Sequence, residues 1–295
     1  LGLAAAIACC AFTFLLGGGP IEMMLAFIAA GIGNLIRTKL IKHHFTLFLN
    51  IAVSISASCF IYAALLKIAE MAFNVPSIHE AGYICSMLFI IPGFPFITSG
   101  IDLAKLDLRS GLERLAYAII IVMVATMFAW IMALLLQLKP MDFEDLDLGP
   151  VLHLILRLIM SFFGVFGFSI MFNSPAPMAA TAALIGAIAN SLRLELVDLT
   201  GMPAPAAAFA GALTAGLLAS FIKENNGYPR ISLTVPSIVI MVPGLYLYRA
   251  IYNFGIMALS DAVSWFASAI MIIIALPLGL IFARILTDKT FRYCT

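Results

Sequence analysis

Charge is scarce in this sequence. Asp, Glu, Lys and Arg supply 11% of its 295 residues, against roughly 25% in an ordinary soluble protein. The formal net charge is only +1, so no bulk attraction to nucleic acid is implied. Cysteine is sparse too. The five are Cys9, Cys10, Cys59, Cys85 and Cys294, an odd number without a CxxC pair. Four lie in apolar runs, where they read as small buried hydrophobes rather than as disulfides or metal ligands. The four histidines are scattered, and His43 and His44, though adjacent, would point about 100° apart on a helix. No metal site is expected. The chain also lacks a Gly-rich phosphate loop, a GxSxG and an HExxH. "LGGGP" (16–20) is a turn after a helix. These absences argue against an ATP-driven pump, against any cofactor, and against an enzyme, since no nucleophile–base pair is visible. A basic n-region and a small-residue cleavage pattern are missing as well, so the start is not a signal peptide. The chain begins with Leu, and its first apolar run is short, as expected of a chain cut upstream.

Apolar residues are what the sequence has. They make up 63% of it, with a mean hydropathy of +1.12. Residues 81–101, 115–138, 199–222 and 262–283 carry no charge, and each is near the ~20 residues a helix needs to cross hydrocarbon. A membrane β-barrel would show ~10-residue alternating segments instead. The expectation is an all-α integral membrane protein with about ten transmembrane helices. They fall near 1–16, 21–37, 45–68, 81–101, 112–137, 151–172, 176–193, 203–222, 231–253 and 262–285. "NSPAP" (173–177) divides what would otherwise be an uncharged run, 158–192, too long for one span. With the N-terminus inside, the inner loops collect Arg37, Lys39, Lys42, Lys105, Arg109, Arg114, Lys223, Arg230, Arg284, Lys289 and Arg292. Lys67, Lys139, Arg157, Arg193 and Arg249 fall outside. That bias predicts both termini in the cytoplasm.

The chain repeats itself weakly. Pro92-Gly93 recurs as Pro243-Gly244, and "AYAIII" (116–121) overlays "ASAIMI" (267–272) at the same offset. "GNLIRTKL" (33–40) overlays "ANSLRLEL" (189–196), so Asn34, Arg37 and Leu40 match Asn190, Arg193 and Leu196. The expected organisation is a five-helix repeat at 1–138, an acidic extracytoplasmic linker at 139–150, and a second five-helix repeat at 151–295. Five is odd, so the second repeat enters from the opposite side. Such inverted repeats are common among secondary transporters, whose sites lie at discontinuous helices near the repeat interface. Pro92, Gly93, Pro95, Pro243 and Gly244 mark the candidate breaks and gates.

At these residues the chain resembles the threonine/serine exporter family. "IPGFPFITSGIDLAKLDLRSGLERLAYA" is similar to the signature region of its N-terminal membrane module, and "VPSIVIMVPGLYLYRAIYNFG" to that of its C-terminal module. The family occurs as one fused chain or as two subunits, and this would be the fused form. The resemblance implies efflux of small hydroxy amino acids, driven by the proton gradient, from a bacterial cytoplasmic membrane. Some two-subunit relatives are linked to dicarboxylate export. The family usually carries a hydrophilic cytoplasmic domain before the membrane part, which fits the expectation of an upstream cut.

The residues able to carry chemistry cluster at the breaks. If the helix continues past Pro95, then Thr98, Ser99 and Asp102 share a face. Two hydroxyls and a carboxylate suit an ammonium group or a coupling proton. The plain alternative makes Asp102 the cytoplasmic end of the fourth helix. In the other half Arg249 is flanked by Tyr246, Tyr252 and Asn253. A guanidinium there can hold a substrate carboxylate in a bidentate pair, or it can snorkel among interface tyrosines. Arg193, placed outside, is expected to pair with Glu195 or Asp198 or to bridge the halves. The small-residue runs 179–189 and 203–216 read as close helix packing. The favoured function is a proton-coupled exporter of threonine and serine working by alternating access in a lipid bilayer. A homo-oligomer is compatible with it. A dicarboxylate exporter and a non-transporting scaffold or sensor are the alternatives.

Overall fold

The computed structural model describes residues 1–73, 77–140, 142–143 and 146–293. Glu144 and Asp145 of the acidic stretch, and Cys294, lie outside the described residues. No strand occurs among the residues described.

The helices run in the order α1 (Gly2–Leu15), α2 (Pro20–Lys42), α3 (Leu47–Phe73), α4 (Tyr83–Ser86), α5 (Gly93–Ala104), α6 (Leu108–Leu136), α7 (Pro150–Met171), α8 (Ala176–Thr200), α9 (Ala204–Asn226), α10 (Arg230–Ile238), α11 (Gly244–Gly255), α12 (Leu259–Thr287) and α13 (Lys289–Arg292). Single 3-10 turns, Leu88–Ile90 and Val239–Met241, precede the two Pro-Gly pairs, and another, Ser77–Gly82, leads into α4. Among the described residues seven helices are long and apolar enough to cross a membrane, and nine spans result if each helix pair broken at Pro-Gly counts as one. α1 has 14 residues and falls short of that length. The outward faces of the long helices carry Met24, Leu35, Met123, Leu135, Leu184, Ile188 and Met271, all exposed. Apolar exposure on that scale is what lipid-facing helices present. The chain is an integral membrane protein.

The helix ends follow from local chemistry. α1 stops at Leu15, where Gly17 takes φ +100, a conformation costly for any other residue. Pro20 then opens α2 at its first position, where no backbone donor is needed. α8 closes on Gly201 at φ +65, with its N–H and that of Met202 returning to Val197 and Leu196. "NSPAP" does separate α7 from α8. The expected ends at residues 37 and 193 fall short, because α2 runs to Lys42 and α8 to Thr200. Charged residues leave hydrocarbon but are good helix formers, so a helix can continue beyond its apolar part.

The chain packs as two compact units, each assembled from separated segments. The first holds Leu1–Ile91, Ile120–Gly149 and Gly244–Phe266; the second holds Pro92–Ile119, Pro150–Pro243 and Ala267–Thr295. Both Pro-Gly pairs therefore fall at points where the chain passes from one unit to the other, two of five such points. In the first unit α1, α2 and α3 pack on α4, and α11 joins them. In the second, α7, α8 and α9 pack on α10, and α5 joins them.

Small residues set the closest approaches. In the second unit a methyl placed on Gly279 of α12 would stand 2.6 Å from the Phe209 carbonyl oxygen and 2.9 Å from the Leu213 nitrogen of α9. Neither backbone atom can swing away. Gly279→Val is therefore expected to destabilise the fold by about 1–3 kcal/mol, read as a lower Tm in detergent. Gly149→Ala, which meets nothing within 4 Å, should leave Tm unchanged.

Candidate functional site

Each break begins with the residue before its proline. Proline forces that neighbour out of the helical region, and Ile91 and Val242 are extended accordingly, at ψ 124 and ψ 134. The carbonyls just upstream then lose helical partners and need others, because both segments are buried in the protein. In the first unit Arg37 on α2 donates to the Phe89 carbonyl at 3.3 Å, and the Ser86 hydroxyl to that of Tyr83 at 2.7 Å. In the second unit Arg193 on α8 donates to the Met241 carbonyl at 3.4 Å, and the Ser237 hydroxyl to that of Thr234 at 2.8 Å. Arg193 thus has a backbone carbonyl as a partner, where an ion pair with Glu195 or Asp198 was one expectation. Glu195 and Asp198 hold Arg157 of α7, at 2.7 Å for Glu195 and in a close contact for Asp198. Those acids lie on the face of α8 that meets α7. The matched asparagines also look back to the preceding helix: Asn34 donates to the Leu1 carbonyl, and Asn190 to the Ser161 hydroxyl.

The glycines of the two pairs have a second role. In the first unit a methyl on Gly244 would come within 3.1 Å of Leu88 and 3.2 Å of Ile91. In the second unit one on Gly93 would come within 2.5 Å of Val239. Within each unit, the helix that follows one break abuts the segment that precedes the other.

In the second unit Thr98 and Ser99 are buried on α5. Their hydroxyls donate within the helix, Thr98 to the Phe94 and Pro95 carbonyls and Ser99 to that of Phe96. Each oxygen keeps lone pairs for another donor. Asp102 lies in the last turn of α5 and meets Arg114 of α6 at 2.7 Å. Its side chain is 17% exposed and that of Arg114 50%.

In the first unit Arg249 is 8% exposed and opens on a cleft of about 350 Å³ shared with Asp142, Tyr252, Asn253, Asp261 and Trp265. Its guanidinium meets Asp142 Oδ1 at 2.8 Å and stands 4.8 Å from the centre of a Trp265 ring. The Asn253 amide donates to the Arg249 carbonyl at 2.8 Å, which fixes that amide on the cleft side. Tyr246 packs edge-on against Trp265, with centroids 5.2 Å apart. Beneath, the Tyr83 and Tyr248 hydroxyls are 2.6 Å apart and tie α4 to α11. A buried guanidinium backed by an indole face has the donors to hold a carboxylate, and here it holds that of Asp142.

Sequence reasoning placed Arg249, Tyr252 and Asn253 on one face. It missed Trp265, hidden in an apolar helix, and Asp142, hidden in an acidic linker. The signal for Asp142 was the linker's charge, which that reading used only to assign a side of the membrane. Cys9, Cys59 and Cys85 are buried with free thiols. No cluster of metal-ligating side chains occurs among the described residues.

The carbonyl caps give a direct test. Arg193→Met withdraws a donor from the Met241 carbonyl and should cost about 1–3 kcal/mol, seen as a lower Tm in detergent. Arg37→Met should do the same in the first unit.

Residues 1–137 match a family model described as "Putative threonine/serine exporter", and residues 157–286 match one described as "Threonine/Serine exporter, ThrE". The chain is 30% identical over 134 residues to the "Probable succinate transporter subunit YjjP" of Escherichia coli (strain K12), over 45% of this chain and 50% of that protein. It thus spans half the length of this curated relative. No solved structure matches it. With both modules present in one polypeptide, the chain belongs to the threonine/serine exporter family, in fused form.

Proposed function

We propose that the protein is a secondary exporter of small polar amino acids, threonine and serine foremost, coupled to the proton gradient. The observation that carries this reading is Arg249, buried yet open to a cleft and holding a carboxylate that a substrate could replace. A cleft of this size suits a small ligand. Arg249 takes the substrate carboxylate, and Tyr252 and Asn253 line the cleft. Tyr246 holds Trp265 in place. On α5, Thr98, Ser99 and Asp102 serve the amine or the coupling proton. Asp102 does so by exchanging its partner Arg114 for a proton. No covalent step is required, so the protein acts as a transporter and not as an enzyme.

The architecture in this proposal is ten spans in two inverted five-helix repeats, 1–138 and 151–295, joined by the linker 139–150, with both termini in the cytoplasm. It is supported by the order of elements, which runs twice through three helices, a helix ending in a 3-10 turn, a Pro-Gly pair, a 12-residue helix and a 29-residue helix. The paired caps on Phe89 and Met241 add to that support. Alternating access then pivots at Pro92, Gly93, Pro95, Pro243 and Gly244. The membrane is the bacterial cytoplasmic membrane.

A dicarboxylate such as succinate is the second reading, favoured by the printed name of the E. coli relative. The deciding experiment is counterflow of labelled threonine in proteoliposomes, with and without a pH gradient. Threonine counterflow that a gradient accelerates is the expected result. Competition by succinate and not by threonine would move the assignment to dicarboxylates. Folded protein without flux of either would mark a scaffold or sensor. Arg249→Gln removes a charged hydrogen-bonding partner worth about 1.5–3 kcal/mol and should raise KM by roughly ten- to a hundredfold. Asp142→Asn should lower KM, because the competing carboxylate is gone. Asp102→Asn should abolish gradient acceleration while the protein stays folded.

A further inference from the structure

The first unit holds a second acidic site, away from the cleft's own side chains. Glu22 sits in the first turn of α2, where a carboxylate is stabilised by the helix dipole and would ordinarily face water. Here it is 4% exposed. Its Oε1 stands 2.6 Å from His79 Nδ1, on the turn Ser77–Gly82. Its Oε2 is buried with no hydrogen-bond partner among the described residues. A methyl on Gly19 would lie 3.1 Å from that oxygen, so the bare glycine keeps the space beside it open. The Tyr62 hydroxyl, from α3, donates to the His79 carbonyl at 2.7 Å and holds the imidazole's backbone in place. Gly82 makes that reach feasible, since a side chain there would overlap the tyrosine hydroxyl.

We propose that Glu22 and His79 form a proton-binding site, the carboxyl of Glu22 being the group that gains and loses the proton. An oxygen buried without a donor is costly, and a proton on it removes most of that cost by neutralising the charge. The chemistry balances simply. With one proton between them the pair is neutral overall. A second proton leaves neutral carboxyl beside imidazolium, net +1, and loss of the first leaves carboxylate beside imidazole, net −1. Few other groups can share the role. α3 contributes Tyr62 and α4 contributes Cys85, both within electrostatic range of Glu22. α1 contributes the uncharged Thr13, in contact with Cys85. The linker contributes Leu146 beside Gly19, with Asp147 nearby in sequence and exposed. The side chain of Glu80, next to His79, lies outside the described residues. Arg249 is also within electrostatic range of Cys85. The charge on the pair is thereby felt by the same thiol that feels the guanidinium.

This inference deepens the proton-coupled reading and rests on it for its role in transport, but not for the existence of the site. The test therefore has two arms on the full chain. In the first, infrared spectra of the protein in nanodiscs follow the protonated-carboxyl band across a pH series, without substrate. The wild type should show a titrating buried carboxyl that Glu22→Gln loses. His79→Gln should keep that carboxyl band but displace its frequency, because the carboxyl loses its imidazole hydrogen-bond partner. A band unchanged in Glu22→Gln overturns the proposal, as does an undisplaced band in His79→Gln. The histidine variant decides the matter if Glu22→Gln does not fold. In the second arm, Glu22→Gln should keep threonine counterflow at zero gradient and lose its acceleration by a pH gradient. Full acceleration in Glu22→Gln overturns the role in coupling. Absence of counterflow in the wild type overturns the transport reading instead, and the infrared arm then stands alone.

Discussion

Two interrupted helices leave backbone carbonyls without helical donors in a buried setting, and the rest of the structure is arranged to supply those donors. Proline creates the deficit twice over, by lacking an N–H and by turning its predecessor out of the helix. Arg37 and Arg193 answer it from a neighbouring helix, and Ser86 and Ser237 answer it locally. A guanidinium is well suited to this task. It stays charged, has five donors, and is less strongly hydrated than an ammonium. α2 and α8 must therefore each run alongside a break, with the arginine at the right height. That requirement explains why α2 and α8 pack so extensively within their units.

The two units also divide the polar chemistry. The first gathers Glu22, His79, three fully buried tyrosines and Arg249. The second gathers the Arg157 ion pairs, the Asn190–Ser161 bond and the Asp102–Arg114 pair. In both, polar groups are bonded in the interior while the outward faces are left to Leu, Ile, Met and Phe. This is the reverse of a soluble protein's distribution, and it leaves a chain poor in charge with well-covered ion pairs at Glu22–His79 and Arg157–Glu195.

Much of the fold was legible because its signals are local. Each expected apolar stretch contains a helix, since length, absence of charge and a Pro or Gly at the ends suffice to mark one. Helix ends were less legible, since Lys39 to Lys42 and Arg193 to Asp198 read as loop by charge yet remain helical. At the site, Arg249 with Asn253 followed from i, i+4 spacing. Asp142 and Trp265 could not follow, because they reach the arginine through tertiary packing and no periodicity links them to it. Glu22 was passed over for a similar reason: an acid just after "GGGP" is an unremarked helix start unless one knows that His79, 57 positions on, covers it. Pro-Gly was read as a break alone. Its glycine turned out to be a contact surface as well, because the partner segment lies more than a hundred residues away in sequence.

Asp142 is 89% exposed at its side chain, yet its oxygen rests on a guanidinium that is almost buried. It lies six residues beyond the end of α6, so it is a ligand on a short tether. Tethers this short hold their ligands at an effective concentration on the order of millimolar. A free carboxylate from solution has to outcompete that resident one, whatever its own intrinsic affinity. Under the proposed function the linker sets a threshold in concentration units: below it the arginine stays self-occupied, and above it a substrate carboxylate takes its place. Such a setting would fit the proposed exporter, which relieves surplus rather than scavenging traces.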